Sequence, residues 1–115
     1  MQETGTLKVK MCAAISVAGT FRVGHLPESV RYAEIVKALG EPVYRDDMDE
    51  ETKVEWTGKI NGKTFTIYDR NTGKGVEENT QWSIGGGEIV IADMVIRYLR
   101  ESKEREELSN KVVMN

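Results

Sequence analysis

The residues best suited to hold an anion form a glycine run between Trp82 and Glu88. Glycine lets a phosphate approach the backbone, and the first N–H groups of a helix have no partner within the helix. A helix that begins directly after the run would therefore present free donors to an anion. The candidate ligand-binding residues of this run are Ser83, Gly85, Gly86 and Gly87. Arg70 and Lys74, in the preceding turn-forming segment, would neutralise the phosphate.

The motif itself is weak. It is not G-x-G-x-x-G, and it lacks the G-K-[ST] ending of a phosphate-binding P-loop. Glu88 also stands where an anion would be repelled. A plain turn and a ligand-contacting loop both fit the run, and the plain turn is favoured.

Three aromatic residues lie on predicted strands near these glycines. Trp56 and Trp82 fall on the apolar side of the alternation, which favours a place in the core. Tyr68 falls on the polar side, where an aromatic ring beside basic residues can stack on a base. Tyr68 is therefore the best aromatic candidate for ligand binding.

Catalytic and metal-binding patterns are missing from the sequence. His25 is the only histidine and Cys12 the only cysteine, which excludes a histidine-rich metal centre and an intramolecular disulfide. The serines lack a nucleophile-elbow sequence. We expect a non-enzymatic protein without metal or cofactor, with His25 as a helix-entry residue and Cys12 in packing.

Charge is unevenly distributed. The formal net charge of −3 gives no reason to expect direct nucleic acid binding. Carboxylates are concentrated between Glu41 and Glu55, and residues 46–51 lack the ligand spacing of a calcium loop. A solvated acidic loop is the favoured interpretation, and a negatively charged decoy for a nucleic-acid-binding partner is the alternative.

The first half of the chain predicts a strand and a helix. Every odd position from Leu7 to Val17 is apolar, which is typical of a strand. Residues 20–23 either continue this strand or form a second short one. Pro27 suits a first helical turn, apolar residues then recur at helical spacing up to Leu39, and Gly40 suits the C-terminal cap.

The second half predicts a β-hairpin, a third strand and a long helix. Asn61-Gly62 is favoured in two-residue hairpin turns, and counting outward pairs Trp56 with Ile67 and Glu55 with Tyr68. A strand then carries Trp82 and ends at the glycines. A helix from Glu88 to about Ser109 follows, with the charged residues 100–107 projecting into water and Arg100 with Glu104, or Lys103 with Glu107, able to pair.

The order β-α-β-β-β-α predicts an α+β domain, with two helices on one face of a small antiparallel sheet, over residues 1–115 as one domain. The apolar stretches are far shorter than a membrane span, and the first residues do not suggest a signal peptide. We therefore expect a cytoplasmic protein without membrane attachment.

Four motifs resemble a known group of sequences. They are Leu39-Gly40-Glu41-Pro42 (L-G-E-P), Val54-Glu55-Trp56, residues 62–69 (G-K-x-F-T-I-Y-D) and residues 82–86 (W-x-I-G-G). Together they resemble a group of small uncharacterised bacteriophage-encoded proteins, and the likeness spans residues 19–87. That group often has histidine in place of Ser83, so a role of that histidine does not transfer. The resemblance implies phage origin and expression inside a bacterial host cell.

Two functions follow as hypotheses. The first is a phage-type accessory protein that sequesters a nucleotide-like immune signal between the hairpin and the glycine turn, using the candidate ligand residues named above. The second is an inhibitor of a host defence complex, of the anti-CRISPR or anti-restriction type, that acts through the acidic loop and the charged end of the last helix. Because small nucleotide-binding proteins often place sites between subunits, a homo-oligomer is one further expectation.

Overall fold

A computed structural model describes residues 7–12, 19–46, 53–69 and 76–113. These residues form an α+β fold with a six-stranded antiparallel sheet and two helices, the predicted class. The strands are β1 (Val9–Met11), β2 (Phe21–His25), β3 (Tyr44–Asp46), β4 (Lys53–Ile60), β5 (Lys63–Asp69) and β6 (Trp82–Gly86). The helices are α1 (Tyr32–Leu39) and α2 (Val90–Val113), and a short 3-10 helix covers Val76–Glu78.

The sheet has the strand order β1-β4-β5-β6-β2, and β3 pairs with the N-terminal half of β4 on the same side as β1. Residues 21–23 thus belong to a separate strand, β2, which pairs with β6 about sixty positions along the chain. Residues 13–18 of the predicted first strand lie outside the described residues.

The β4–β5 hairpin has the predicted register. Trp56 pairs with Ile67 and Glu55 with Tyr68. Asn61 and Gly62 have φ values of 50° and 83°. Positive φ at both turn positions is the backbone of a type I′ turn, whose twist matches that of the strands. The hairpin prediction is confirmed in both its turn and its pairing.

Helix α1 begins five residues later than predicted. Pro27 does not start it, because its carbonyl accepts the Val30 N–H and closes a separate turn. The helix starts after Arg31, whose N–H donates to Glu34 Oε1 at 3.0 Å. Its end is as predicted, since Gly40 has φ 89° and donates its N–H to the Val36 carbonyl.

Strand β3 falls in the segment that was predicted to be an acidic loop. Its backbone pairs Tyr44 with Glu55 and Asp46 with Lys53. Tyrosine favours strands, and the free edge of β4 supplies the hydrogen-bonding partners that a loop would lack. That part of the loop prediction is therefore wrong, and residues 47–52 lie outside the described residues.

Both helices pack on one face of the sheet. Ile35 of α1 and Ile91 of α2 are buried there against the inner residues of β4, β5 and β6. Trp56 and Trp82 are both 0% exposed and meet edge to face, with ring centroids 5.6 Å apart. Trp56 also donates its indole N–H to the Gly40 carbonyl at 2.9 Å. The two tryptophans are therefore core residues, as predicted, and join α1 to the sheet.

Candidate functional site

Two glycines of the run lie inside the sheet, as the last two residues of β6. Gly85 and Gly86 belong to β6, which has β5 on one side and β2 on the other. The backbone groups of such a central strand point alternately to its two neighbours. The strand thus ends within the glycine run, as predicted, but Gly85 and Gly86 are part of the strand and do not form a turn after it. A ligand role for these two glycines stays a prediction, and it would depend on their missing side chains rather than on free N–H groups.

Close packing explains why glycine stands at both positions. A Cβ at Gly86 would lie 2.8 Å from Ile91 Cδ1, so this glycine lets α2 approach the sheet. A Cβ at Gly85 would point to the other face and lie 2.5 Å from Thr66 Oγ1. The same position is 3.7 Å from Tyr68 Cε1. The space that a side chain at Gly85 would occupy is thus filled by the Thr66 hydroxyl, and an edge of the Tyr68 ring lies beside it.

Helix α2 starts at Val90, two residues after the predicted start. Glu88 precedes the helix, and its carbonyl accepts the Ile91 N–H at 3.1 Å. Its carboxylate pairs with Lys63 at 2.8 Å. A phosphate at this terminus would meet the Glu88 carboxylate, so the helix start offers little support for an anion site. Gly87 is exposed between β6 and the helix.

The polar face, defined as the sheet face opposite the helices, brings other candidates together. Tyr68 and Ser83 are direct cross-strand partners, so the structure places these two predicted residues side by side. The row continues to Glu55 on one side and to His25 on the other. The two predicted cations, Arg70 and Lys74, lie outside the described residues.

His25 is a strand residue and does not enter a helix, so the prediction for it is wrong. It is the last residue of β2, which is irregular between Arg22 and Gly24. This irregularity changes the alternation, and His25 pairs with Ser83 on the polar face. Arg22, opposite Gly85, lies on the same face and is exposed. By strand pairing it is the described cation nearest to Gly85.

Ser83 is the most deeply buried polar residue of this row. It is 1% exposed, and its Oγ has no hydrogen-bond partner among the residues that the structure describes. Leaving a buried hydroxyl unpaired costs about 1–3 kcal/mol. Unpaired buried hydroxyls are uncommon in native proteins, and they suggest a role other than packing. Ser83 therefore supplies an unused donor and acceptor just beneath the polar face, next to Tyr68.

Glu55 is half-buried beside Tyr68. Burial raises the pKa of its carboxyl group above the ordinary value. No charged or hydrogen-bonding group in the described part of the chain opposes this shift. A carboxylate in such a position lacks the partner that would offset its lost hydration.

Replacing Glu55 by glutamine is expected to stabilise the fold at neutral pH. A carboxyl group whose pKa is raised on folding binds protons more tightly in the native state, so its ionisation lowers stability as pH rises. The gain should vanish below about pH 4, where the carboxyl is protonated in both states. Thermal melts of the two proteins at both pH values measure it, and equal melting temperatures at neutral pH would contradict it.

No family model, curated protein or solved structure matches this chain. Within residues 7–12, 19–46, 53–69 and 76–113, no helix is long and apolar enough to cross a membrane. The same residues contain no group of three side chains arranged to hold a metal ion. The site is therefore defined by the polar-face residues themselves.

A concave surface lies between α1, the loop before it and α2. This helix groove has a volume of about 540 Å³. Leu26, Val30, Ile96 and Leu99 form its apolar floor.

Ion pairs line the rim of the helix groove. Lys103 pairs with Glu34 at 3.1 Å, and Glu106 pairs with Lys37 at 3.5 Å. Burial alone would raise the pKa of Glu34, but the Arg31 N–H and Lys103 outweigh it and lower that pKa. The charged end of α2 thus packs beside α1 in part, where projection into water was predicted. Lys103 bonds to Glu34 of α1, and Glu107 adds only a smaller electrostatic attraction.

Proposed function

We propose that this chain is a non-enzymatic binding protein that captures a small phosphorylated, nucleotide-like ligand on the polar face around Tyr68. One observation carries the proposal. The Tyr68 ring is half-buried on the polar face in the middle of the sheet, with one edge beside Gly85 and its cross-strand partners Glu55 and Ser83 on either side. An aromatic ring partly held by its neighbours on such a face can stack with a flat base.

The surroundings of Tyr68 supply polar partners for such a ligand. Arg22 is the direct strand partner of Gly85, is exposed, and can pair with a phosphate. Arg70 and Lys74 follow β5 in the sequence and remain part of the proposal as further countercharges. Ser83 adds the unused hydroxyl beneath the ring.

Binding rather than catalysis is favoured by the state of Ser83. A serine nucleophile needs a base within hydrogen-bond reach to take its proton. His25 stands on the neighbouring strand, but the Ser83 Oγ has no hydrogen-bond partner. The row therefore lacks an activated nucleophile in the described geometry.

The resemblance to bacteriophage proteins gives this activity a setting. Inside a bacterial host cell, a phage protein that sequesters a nucleotide signal would keep that signal from the host's immune effectors. We propose this anti-defence role for the chain. It requires affinity for the ligand and no turnover of it.

Calorimetric titration tests the proposal with a panel of cyclic dinucleotides, ADP-ribose and nucleoside monophosphates. We expect saturable binding of at least one of these compounds. The absence of binding heat across the panel at several temperatures would overturn the proposal. Chromatography of the ligand after incubation should recover it unchanged, and a new product would replace binding by catalysis.

Arg22→Gln is expected to weaken a phosphorylated ligand about tenfold, because it removes one charge-assisted contact. Binding of the unphosphorylated nucleoside should not change. Arg105→Gln, an exposed change on α2, serves as the matched control. Equal losses for the phosphorylated and unphosphorylated compounds would remove Arg22 from phosphate binding.

The helix groove favours a second candidate function, inhibition of a host protein. Its apolar floor and charged rim are typical of a surface that receives a side chain from another protein. The acidic residues Asp46, Asp47 and Glu50 belong to the same proposal by their charge in the sequence. We expect their replacement by lysine to abolish recovery of a host partner from bacterial lysate. Unchanged recovery would discard this candidate, at least for the acidic segment.

A further inference from the structure

The most unusual charge on the polar face is the Glu55 carboxylate. It lies between two tyrosines, because β4 pairs with β5 at Tyr68 and with β3 at Tyr44. Tyr44 is 51% exposed, whereas Glu55 is half-buried. The carboxylate thus belongs to the residue paired with Tyr68, two strands away from Gly85, and it is partly removed from water.

An ionised carboxylate accepts hydrogen bonds and donates none. Neighbouring strands lie about 4.8 Å apart, so a base stacked on Tyr68 would bring one edge close to Glu55. Guanine offers two adjacent N–H groups on its Watson–Crick edge, a pattern that matches the two oxygens of a carboxylate. Adenine presents an acceptor nitrogen at the centre of that edge and would be repelled.

We infer that Glu55 selects a guanine-type base, one that presents two adjacent N–H donors to the carboxylate while it stacks on Tyr68. The inference rests on the proposed function and names the ligand class of that same site. It also gives Glu55 the hydrogen-bonding partners that the described part of the chain does not provide.

The experiment compares GMP, IMP and AMP by calorimetry with the full chain. IMP retains the ring N–H of guanine but lacks its amino group. We expect GMP to bind more tightly than IMP, and IMP more tightly than AMP. Glu55→Gln should weaken GMP roughly 5- to 150-fold, the usual range for a bidentate base contact, and leave AMP unchanged or improved. Cyclic di-GMP in a parallel arm distinguishes a cyclic dinucleotide from a mononucleotide as the source of the base.

Two further variants control for the loss of a negative charge elsewhere and for the length of the side chain at position 55. Glu104→Gln removes an exposed carboxylate of α2 and should leave all affinities unchanged. Glu55→Asp keeps the charge but shortens the side chain, so it should retain the order of the three nucleotides with a smaller GMP preference. Melting curves show whether each variant is folded.

Three outcomes would overturn the inference. Equal GMP and AMP affinities in the unaltered protein, or a GMP preference that survives in Glu55→Gln, would reject the role of Glu55 and leave nucleotide binding intact. No binding of any nucleotide would reject the inference and the proposed function together. Binding of arginine amide in a Glu55-dependent manner, without nucleotide binding, would assign the carboxylate to a protein ligand.

Discussion

Replacing Tyr68 by leucine is expected to weaken nucleotide binding roughly 5- to 150-fold, since stacking on an aromatic ring contributes about 1–3 kcal/mol per base. Leucine keeps the apolar bulk above Gly85 but has no ring face. Tyr68→Phe keeps that face and should bind nearly as well as the unaltered protein. Calorimetry of the three proteins with the tightest ligand of the panel measures the difference.

The control for this prediction is Tyr98→Leu. Tyr98 packs against the core from α2, away from the polar face, and its loss should lower stability without changing affinity in the folded protein. If Tyr98→Leu weakened binding as much as Tyr68→Leu, lower stability of the fold would explain the loss of affinity, and lost stacking would not. If Tyr68→Leu bound normally, the stacking site would lie elsewhere.

Replacing Trp56 by alanine is expected to lower the free energy of unfolding by about 3–5 kcal/mol, the usual cost of deleting a large buried aromatic. Trp56 is 0% exposed and meets the Trp82 ring. The change also removes the hydrogen bond from the Trp56 indole N–H to the Gly40 carbonyl. This bond links the sheet to the end of α1. Urea denaturation measures the loss.

Leu108→Ala is the matched control, because Leu108 is 64% exposed on α2. Its cost should stay within about 0.5 kcal/mol. Trp56→Phe should fall between the two, since it keeps part of the packing but loses the hydrogen bond. A loss below about 1 kcal/mol for Trp56→Ala would contradict the core as described.

Local signals in the sequence predicted the parts of the fold that depend on neighbouring residues. Asn61-Gly62 fixed the hairpin turn, and period-two alternation then determined every pairing along β4 and β5. Gly40 marked the end of α1 for a similar reason, because left-handed backbone favours glycine.

Long-range pairing explains the errors. β2 joins the sheet by pairing with β6, and the sequence near Phe21 does not indicate which strand is its partner. The glycines of β6 look like a turn in sequence. Glycine stands at these positions for a steric reason, because a larger side chain would collide with Ile91 of α2 or with Thr66 of β5. Pro27 indicated a helix start, but it lies in a separate turn before α1.

The candidate site was predictable in part. Alternation within the hairpin placed Tyr68 on the polar face beside Glu55, as the structure confirms. The neighbours contributed by β6 and β2 depend on strand order, which the sequence pattern does not contain. Arg22 was missed for that reason, and His25 was misplaced at a helix entry. The alternation of side chains along β2, shifted at the irregularity between Arg22 and Gly24, is the sequence signal that could have placed Arg22 and His25 on the polar face.

Native mass spectrometry of the protein purified from bacterial cells tests the central claim most directly. It weighs retained small molecules and counts subunits in one experiment. We predict that the unaltered protein retains a nucleotide-sized mass and that Tyr68→Leu, purified in parallel, loses it. If both proteins are free of bound mass, and the unaltered protein gains none after incubation with the nucleotide panel, capture of a nucleotide on the polar face is contradicted.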